Sequence, residues 1–127
     1  MTRIAHLDCF SGISGDMTLG ALVDAGVELT QLSDMLQGLG LEGWSLRAGP
    51  VPDEHRIPGT RVEVLCAEEG HLHRHFGDIR AMIEGGDLPL EVQQRAVAVF
   101  RRLAEAEGKI HGKPPEEVGF HEVGAVD

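Results

Sequence analysis

Glycine accounts for 17 of the 127 residues and is spread along the whole chain, and this distribution restricts the fold more than any other feature. Glycine suits tight turns and close backbone contacts and weakens the interior of helices and strands. It therefore favours short alternating elements over a long helical bundle. Because 42% of the residues are hydrophobic, we expect a single domain, residues 1–127, whose core closes without a disulfide or a structural metal.

Hydrophobic periodicity predicts a strand, two helices, two strands and two more helical stretches, in that order. Thr30 is the expected N-cap of the second helix, and Gly38 and Gly40 mark its end. The order predicts an α+β fold, a two-layer sandwich in which helices cover one face of a mixed or antiparallel sheet. The predicted strands are residues 3–8, 44–48 and 61–66, and the other helices are residues 16–25, 77–84 and 89–107.

Charge and composition exclude two classes of partner. The chain has 21 acidic and 11 basic residues, 4% aromatic residues and no tyrosine, whereas a nucleic-acid binder is expected to carry a basic stripe with interleaved aromatics. An acidic surface is repelled by anionic lipids, and no apolar run is long enough to span a bilayer. We therefore expect no nucleic acid and no membrane. Residues 1–3 suggest no targeting peptide, so we expect a cytoplasmic protein with Cys9 and Cys66 as thiols.

The first candidate site is residues 8–16, which we call the glycine loop, between the first predicted strand and helix. Backbone N–H groups at a helix N-terminus can bind phosphate. The loop lacks the lysine of a Walker loop and does not fit the dinucleotide fingerprint. The alternative is a glycine turn in which Ser14 or Asp16 caps the helix. Because the carboxylates of Asp8 and Asp16 repel phosphate, a cation is expected in any ligand.

The second candidate site is residues 68–75, which we call the histidine segment, directly after a predicted strand. His71, His73 and His75 alternate, so neighbouring imidazoles can converge on one ion, and Glu68 or Glu69 can add an oxygen donor. The alternative is a solvated polar loop. Nitrogen donors suit zinc, copper, nickel or iron, and the spacing does not choose among them.

The third candidate site is residues 119–127, which we call the terminal motif and which contains the adjacent pair His121 and Glu122. In a strand these side chains point to opposite faces, whereas in a turn both can face a cleft. A histidine and a carboxylate can form a general base or a mixed metal site, although such pairs are common by chance. His111 is interpreted as a helix-end residue favoured by the dipole.

Four stretches are distinctive, and they are residues 8–22, the histidine segment followed by Asp78 and Ile79, residues 103–107 with His111 and Gly112, and residues 120–127. In this order along the chain they resemble the LarC family, the nickel-insertion proteins of lactate racemase maturation. The resemblance implies that nickel is the metal. It further implies that nickel is inserted, with CTP, into a pyridinium bis-thiocarboxylic acid mononucleotide to give the nickel-pincer nucleotide.

Two departures from the family pattern qualify this resemblance. Gly119 stands where the family commonly has a histidine, so one potential ligand is missing. The sequence also stops at Asp127, within a motif that continues in the family. We therefore expect an N-terminal portion that does not insert nickel alone, with CTP and its divalent cation bound by a C-terminal part. Expected partners are the mononucleotide and that C-terminal half, and a homo-oligomer is left open.

The resemblance gives each candidate site a role. The three histidines of the histidine segment would capture or hand over nickel, and the glycine loop would hold the phosphate of the mononucleotide. A nickel or zinc store or sensor is the main alternative, and a nucleotide hydrolase using the terminal His-Glu pair is a third. The implied site residues are His71, His73 and His75 for nickel; Ser11, Gly12, Ser14, Gly15 and Asp16 for the cofactor; and Asp8, His121 and Glu122 as a base or transient nickel ligand.

Overall fold

The computed structural model describes residues 4–51, 58–67 and 74–120. Helices and short antiparallel strands alternate in these ranges, which confirms the predicted α+β class. The elements are α1 Gly15–Asp24, α2 Leu29–Gln37, β1 Trp44–Pro50, β2 Thr60–Cys66, β3 Arg74–His75, α3 Phe76–Gly85, α4 Leu90–His111, a 3₁₀ helix Pro115–Glu117 and β4 Gly119–Phe120.

The first packed unit is the antiparallel pair β1–β2 with α1 against it. The register runs from Trp44 opposite Cys66 to Pro50 opposite Thr60. Val62 is fully buried, because alternate residues of β2 point to opposite faces. The α1 backbone approaches so closely that a Cβ on Gly20 would lie 2.5 Å from the carbonyl oxygen of Thr60. This contact requires glycine at position 20.

The second packed unit contains α3, α4, the 3₁₀ helix and the short pair β3–β4. Residues of α3, α4 and β4, together with Val118, form one buried cluster. Helix α4 ends at His111. Gly112 caps it, with a φ of 65°, and donates its N–H to the Gly108 carbonyl. Helix α2 contacts β1, and the residue after it reaches the second unit, where the Asp87 N–H donates to the Gly38 carbonyl at 2.7 Å. The buried cluster consists of Phe76, Ile79, Ile83, Ala104, Val118 and Phe120.

Two sequence predictions are wrong. Residues 4–8 of the predicted first strand have no regular structure, and Ile4 is 87% exposed. Its apolar residues do not alternate strictly, and the strand pairs of the described residues do not include it. Thr30 is not an N-cap, because α2 begins at Leu29 with Glu28 in the extended cap position.

Among the described residues, no helix has both the length and the apolar character needed to cross a membrane.

Replacing Gly20 with alanine should lower the free energy of unfolding by about 1–3 kcal/mol, because the new Cβ would force α1 away from β2. Gly15→Ala is the matched control, since a Cβ at that position in the same helix meets no atom within 4 Å. Urea denaturation of both variants measures the difference. Equal stability of the two variants would show that the α1–β2 contact does not restrict position 20.

Candidate functional site

The described end of the histidine segment is fixed at the start of α3. Phe76 is fully buried and donates its backbone N–H to the Val118 carbonyl at 3.0 Å. The carboxylate of Asp78 accepts a hydrogen bond from the backbone N–H of His75 at 3.0 Å, as an acidic residue in the first turn of a helix often does. The guanidinium carbon of Arg101 lies 5.4 Å from the centre of the Phe76 ring. His75 therefore remains exposed on a backbone anchored to the core.

The start of the terminal motif is fixed in the same core. Phe120 is 5% exposed, and its ring lies 6.0 Å from the ring of Phe100 at an interplanar angle of 58°. This tilted arrangement is a favourable geometry for an aromatic pair. The backbone is therefore held at the residue that directly precedes His121.

The antiparallel pair β3–β4 joins the histidine segment to the terminal motif. Arg74 pairs with Phe120, and His75 pairs with Gly119. A Cβ on Gly119 would lie 3.6 Å from Nδ1 of His75, which is an ordinary van der Waals distance. A Cβ at position 119 therefore fits beside the His75 ring without displacing it. This pairing is the structural link between two motifs that are more than 40 residues apart in sequence.

The remaining residues of these two candidate sites lie outside the described residues. The group comprises His71 and His73, with Glu68 and Glu69, and the pair His121 and Glu122. Their assignments as nickel ligands or as a base stay predictions. Within residues 4–51, 58–67 and 74–120, no three metal-ligating side chains lie close enough together to hold an ion.

The glycine loop folds as a capped helix start. Gly12 has a φ of 87° and donates its N–H to the Cys9 carbonyl at 3.0 Å. The Ser14 hydroxyl accepts a hydrogen bond from the Met17 N–H at 3.4 Å and donates to the Asp16 carboxylate. Ser14 is therefore the N-cap of α1, the role given by the alternative interpretation of this loop. The hydrogen bond from Ser14 lowers the pKa of Asp16 below its usual value of 3.8.

The charge of Asp16 bears on the phosphate prediction. An ionised carboxylate in the first turn already interacts favourably with the helix dipole. Asp8, Ser11 and Gly15 are exposed, so the loop is open to a ligand. The hydrogen bonds found among the described residues tie the loop to itself and to α1, and none links Asp8 to His75. Phosphate binding at this loop stays a prediction.

Sequence reasoning missed the residues that position the candidate site. Asp78 lies three residues after His75, which is the spacing of a capping box and could have indicated a helix start there. The role of Phe76 and Phe120 had a weaker signal, because each is simply an aromatic residue next to a histidine. The two-residue strands between them are too short for periodicity to detect.

Comparison with known proteins identifies the family. The sequence model of a family described as nickel insertion protein matches residues 5–127. The chain belongs to this family. It is 50% identical over 125 residues to the pyridinium-3,5-bisthiocarboxylic acid mononucleotide nickel insertion protein of Desulfitobacterium hafniense (strain DSM 10664 / DCB-2), covering 98% of the chain and 31% of that relative.

Two further relatives give the same coverage. A Geobacillus kaustophilus protein with the same description is 49% identical over 134 residues, covering 98% of the chain and 32% of the relative. A Roseiflexus castenholzii relative is 48% identical over 132 residues, covering the whole chain and 32% of the relative. The chain thus spans about a third of the length of the nickel insertion proteins it matches. No solved structure matches it.

Replacing Ser14 with alanine should raise the pKa of Asp16 toward 3.8, because the variant removes the hydroxyl that donates to the carboxylate. The wild-type pKa is lower in the folded than in the unfolded state. The carboxylate therefore stabilises the fold above about pH 4, and this contribution disappears as the pH falls through the folded-state pKa. NMR titration of the side-chain carboxyl carbon measures the shift.

Ser11→Ala in the same loop is the control for this experiment, since the hydrogen bonds of the described residues do not include the Ser11 hydroxyl. It should leave the pKa of Asp16 unchanged. An Asp16 pKa that is the same in Ser14→Ala as in the wild type would contradict the hydrogen-bonded cap.

Proposed function

We propose that this chain forms the nickel-handling part of a protein that inserts nickel into pyridinium-3,5-bisthiocarboxylic acid mononucleotide. Two relatives are named for this substrate, and the chain corresponds to about a third of each. CTP, with a divalent cation, is the proposed co-reactant and is bound by a C-terminal part. The product is the nickel-pincer nucleotide used by lactate racemase and related enzymes.

The pairing of β3 with β4 carries this proposal. It brings His75 beside Gly119, at the point where the histidine segment ends and the terminal motif begins. We propose that His71, His73 and His75 provide one side of a nickel site and that His121 and Glu122 provide the other. Neutral imidazole is a good ligand for nickel, and a site on exposed histidines can exchange its ligands with the substrate.

Formation of the nickel–carbon bond requires a base. The ring carbon between the two thiocarboxylate groups must lose its proton as the bond to nickel forms. Asp8, His121 or Glu122 is proposed to accept that proton, or to ligate nickel transiently before transfer. A His-Glu pair beside the nickel-binding histidines would keep metal transfer and proton removal at one place.

The glycine loop is proposed to hold the phosphate of the mononucleotide through Ser11, Gly12, Ser14 and Gly15. Asp16 already supplies a negative charge at the N-terminus of α1. Phosphate binding there therefore needs a cation that the phosphate and the carboxylates share, because the bare anions repel each other. This requirement distinguishes the loop from a simple anion-binding glycine loop.

Replacing His71, His73 and His75 together with alanine should abolish nickel binding measured by calorimetry near neutral pH. His111→Ala is the matched control, since His111 lies at the end of α4 and pairs with Glu107 at 3.3 Å. Wild-type affinity should fall below about pH 6, because the imidazoles must be neutral to bind nickel. Unchanged affinity in the triple variant, or an affinity independent of pH, would contradict the histidine site.

Adding the mononucleotide precursor separates insertion from storage. A precursor that raises nickel affinity supports assembly of the cofactor on this chain, whereas indifference to the precursor supports a metal store. Using the same precursor without its phosphate tests the glycine loop, because only a phosphate-dependent rise in affinity fits the proposed role of that loop.

Replacing Gly119 with histidine should raise nickel affinity, because its Cβ would lie beside the His75 ring and the new imidazole would add a ligand next to His75. Calorimetric titration with nickel measures the gain. Gly119→Leu is the control, since it fills the same space without a ligand and should not raise affinity. A gain of similar size in both variants would show that packing, rather than coordination, controls the affinity.

A further inference from the structure

Helix α4 carries apolar residues on two sides, and among the described residues one of these sides packs on the core. The core-facing residues include Ala96, Val97, Phe100 and Ala104. A second set of apolar residues recurs at alternating spacings of four and three, which places it along one different line of the helix. We call this set the apolar stripe. It consists of Val92, Ala96, Val99, Leu103, Ala106 and Ile110, of which Ala96 also packs against the core.

The apolar stripe is largely open to solvent along its length. Val99 is 61% exposed and Ile110 is 76% exposed, and Val92 and Leu103 are also exposed. A spacing of four and three sustained over residues 92–110 is the pattern of a helix that packs against another helix. Isolated exposed apolar residues are normal, but an ordered row of them marks an interaction surface.

The charges beside the stripe indicate what can cover it. One flank carries a basic row, Arg95, Arg102 and Lys109, at intervals of seven residues. The other flank carries Glu107, five residues after Arg102, and the Glu107 carboxylate lies 3.3 Å from His111 of the same helix. Arg102 and Lys109 take part in no ion pair within the described ranges 4–51, 58–67 and 74–120.

These charges decide the direction of a second copy. In an antiparallel pair of α4 helices the two basic rows would face each other, which is unfavourable. In a parallel pair the basic flank of one copy faces the flank of the other copy that carries Glu107, and facing residues differ by five in number. Arg102 of one copy therefore meets Glu107 of the other. Two such ion pairs form across a two-fold axis, because a symmetric interface repeats every contact.

We propose that the apolar stripe of α4 is the interface of a parallel homodimer, in which Arg102 pairs with Glu107 of the second copy. The stripe supplies the burial, and the two symmetric ion pairs set the direction and register. Of the stripe residues, Ala96 packs against the core cluster and the exposed ones do not belong to it in the described part of the chain. An interface on the exposed residues therefore needs no change in the packing of α3 against α4.

A charge exchange tests the direction of the interface. Sedimentation equilibrium from micromolar to near-millimolar chain should show a wild-type dimer. Arg102→Glu and Glu107→Arg should each raise the dissociation constant about tenfold, because each variant replaces two attractive pairs with two like-charged ones. The double variant restores opposite charges and should return the dissociation constant to within about threefold of the wild-type value.

Two further variants test the surface itself. Leu103→Glu places a charge in the centre of the stripe and should give a monomer with unchanged circular dichroism. Gln94→Glu changes the charge on the opposite, exposed side of α4 and should leave the dimer intact. A wild-type monomer throughout the concentration range, a Leu103→Glu dimer, or a double charge variant as weak as the single variants would each overturn the proposal.

Discussion

The candidate site depends on two backbone anchors in the second packed unit. The buried ring of Phe76 fixes the chain directly after His75, and the buried ring of Phe120 fixes it directly before His121. Two-residue strands are too short to be stable alone, so β3 and β4 depend on these rings and on the Phe76–Val118 hydrogen bond. Because burial of two aromatic rings contributes several kcal/mol, about 1.5–3 each, the pairing of His75 with Gly119 follows from core packing.

The parts of the fold that have long periodic patterns could be predicted from the sequence. Helical apolar periodicity over residues 89–107 predicted α4, although the helix extends to His111 because Gly108 packs closely and Gly112 supplies the left-handed end. The strand predicted at residues 3–8 was wrong because a strand needs a partner, and periodicity in one segment contains no information about pairing. The separate pairs β1–β2 and β3–β4 are a tertiary outcome that the local pattern does not encode.

The candidate site was predictable as a set of residue types and not as a geometry. Alternating histidines predict a metal whatever the fold, because imidazole is a common ligand. The proximity of position 119 to His75 depends on a register between segments more than 40 residues apart, which spacing alone does not give. The glycine loop shows the opposite case. Its local pattern was compatible with a phosphate site and with a capped helix, and the cap formed by Ser14 is the part that local hydrogen bonding determines.

Exposure of His75 on an anchored backbone suits a metal that has to be released. In the proposed role a closed thiolate site would retain nickel, whereas an exposed imidazole such as that of His75 would let the sulfur ligands of a substrate replace protein ligands one at a time. The anchor is needed for the same reason, since a ligand that must meet a large substrate gains from a fixed backbone position. The position paired with His75 is occupied by glycine, Gly119. Because glycine has no side chain, it adds neither bulk nor a further ligand beside the His75 ring, which suits the proposed approach of a substrate to that ring.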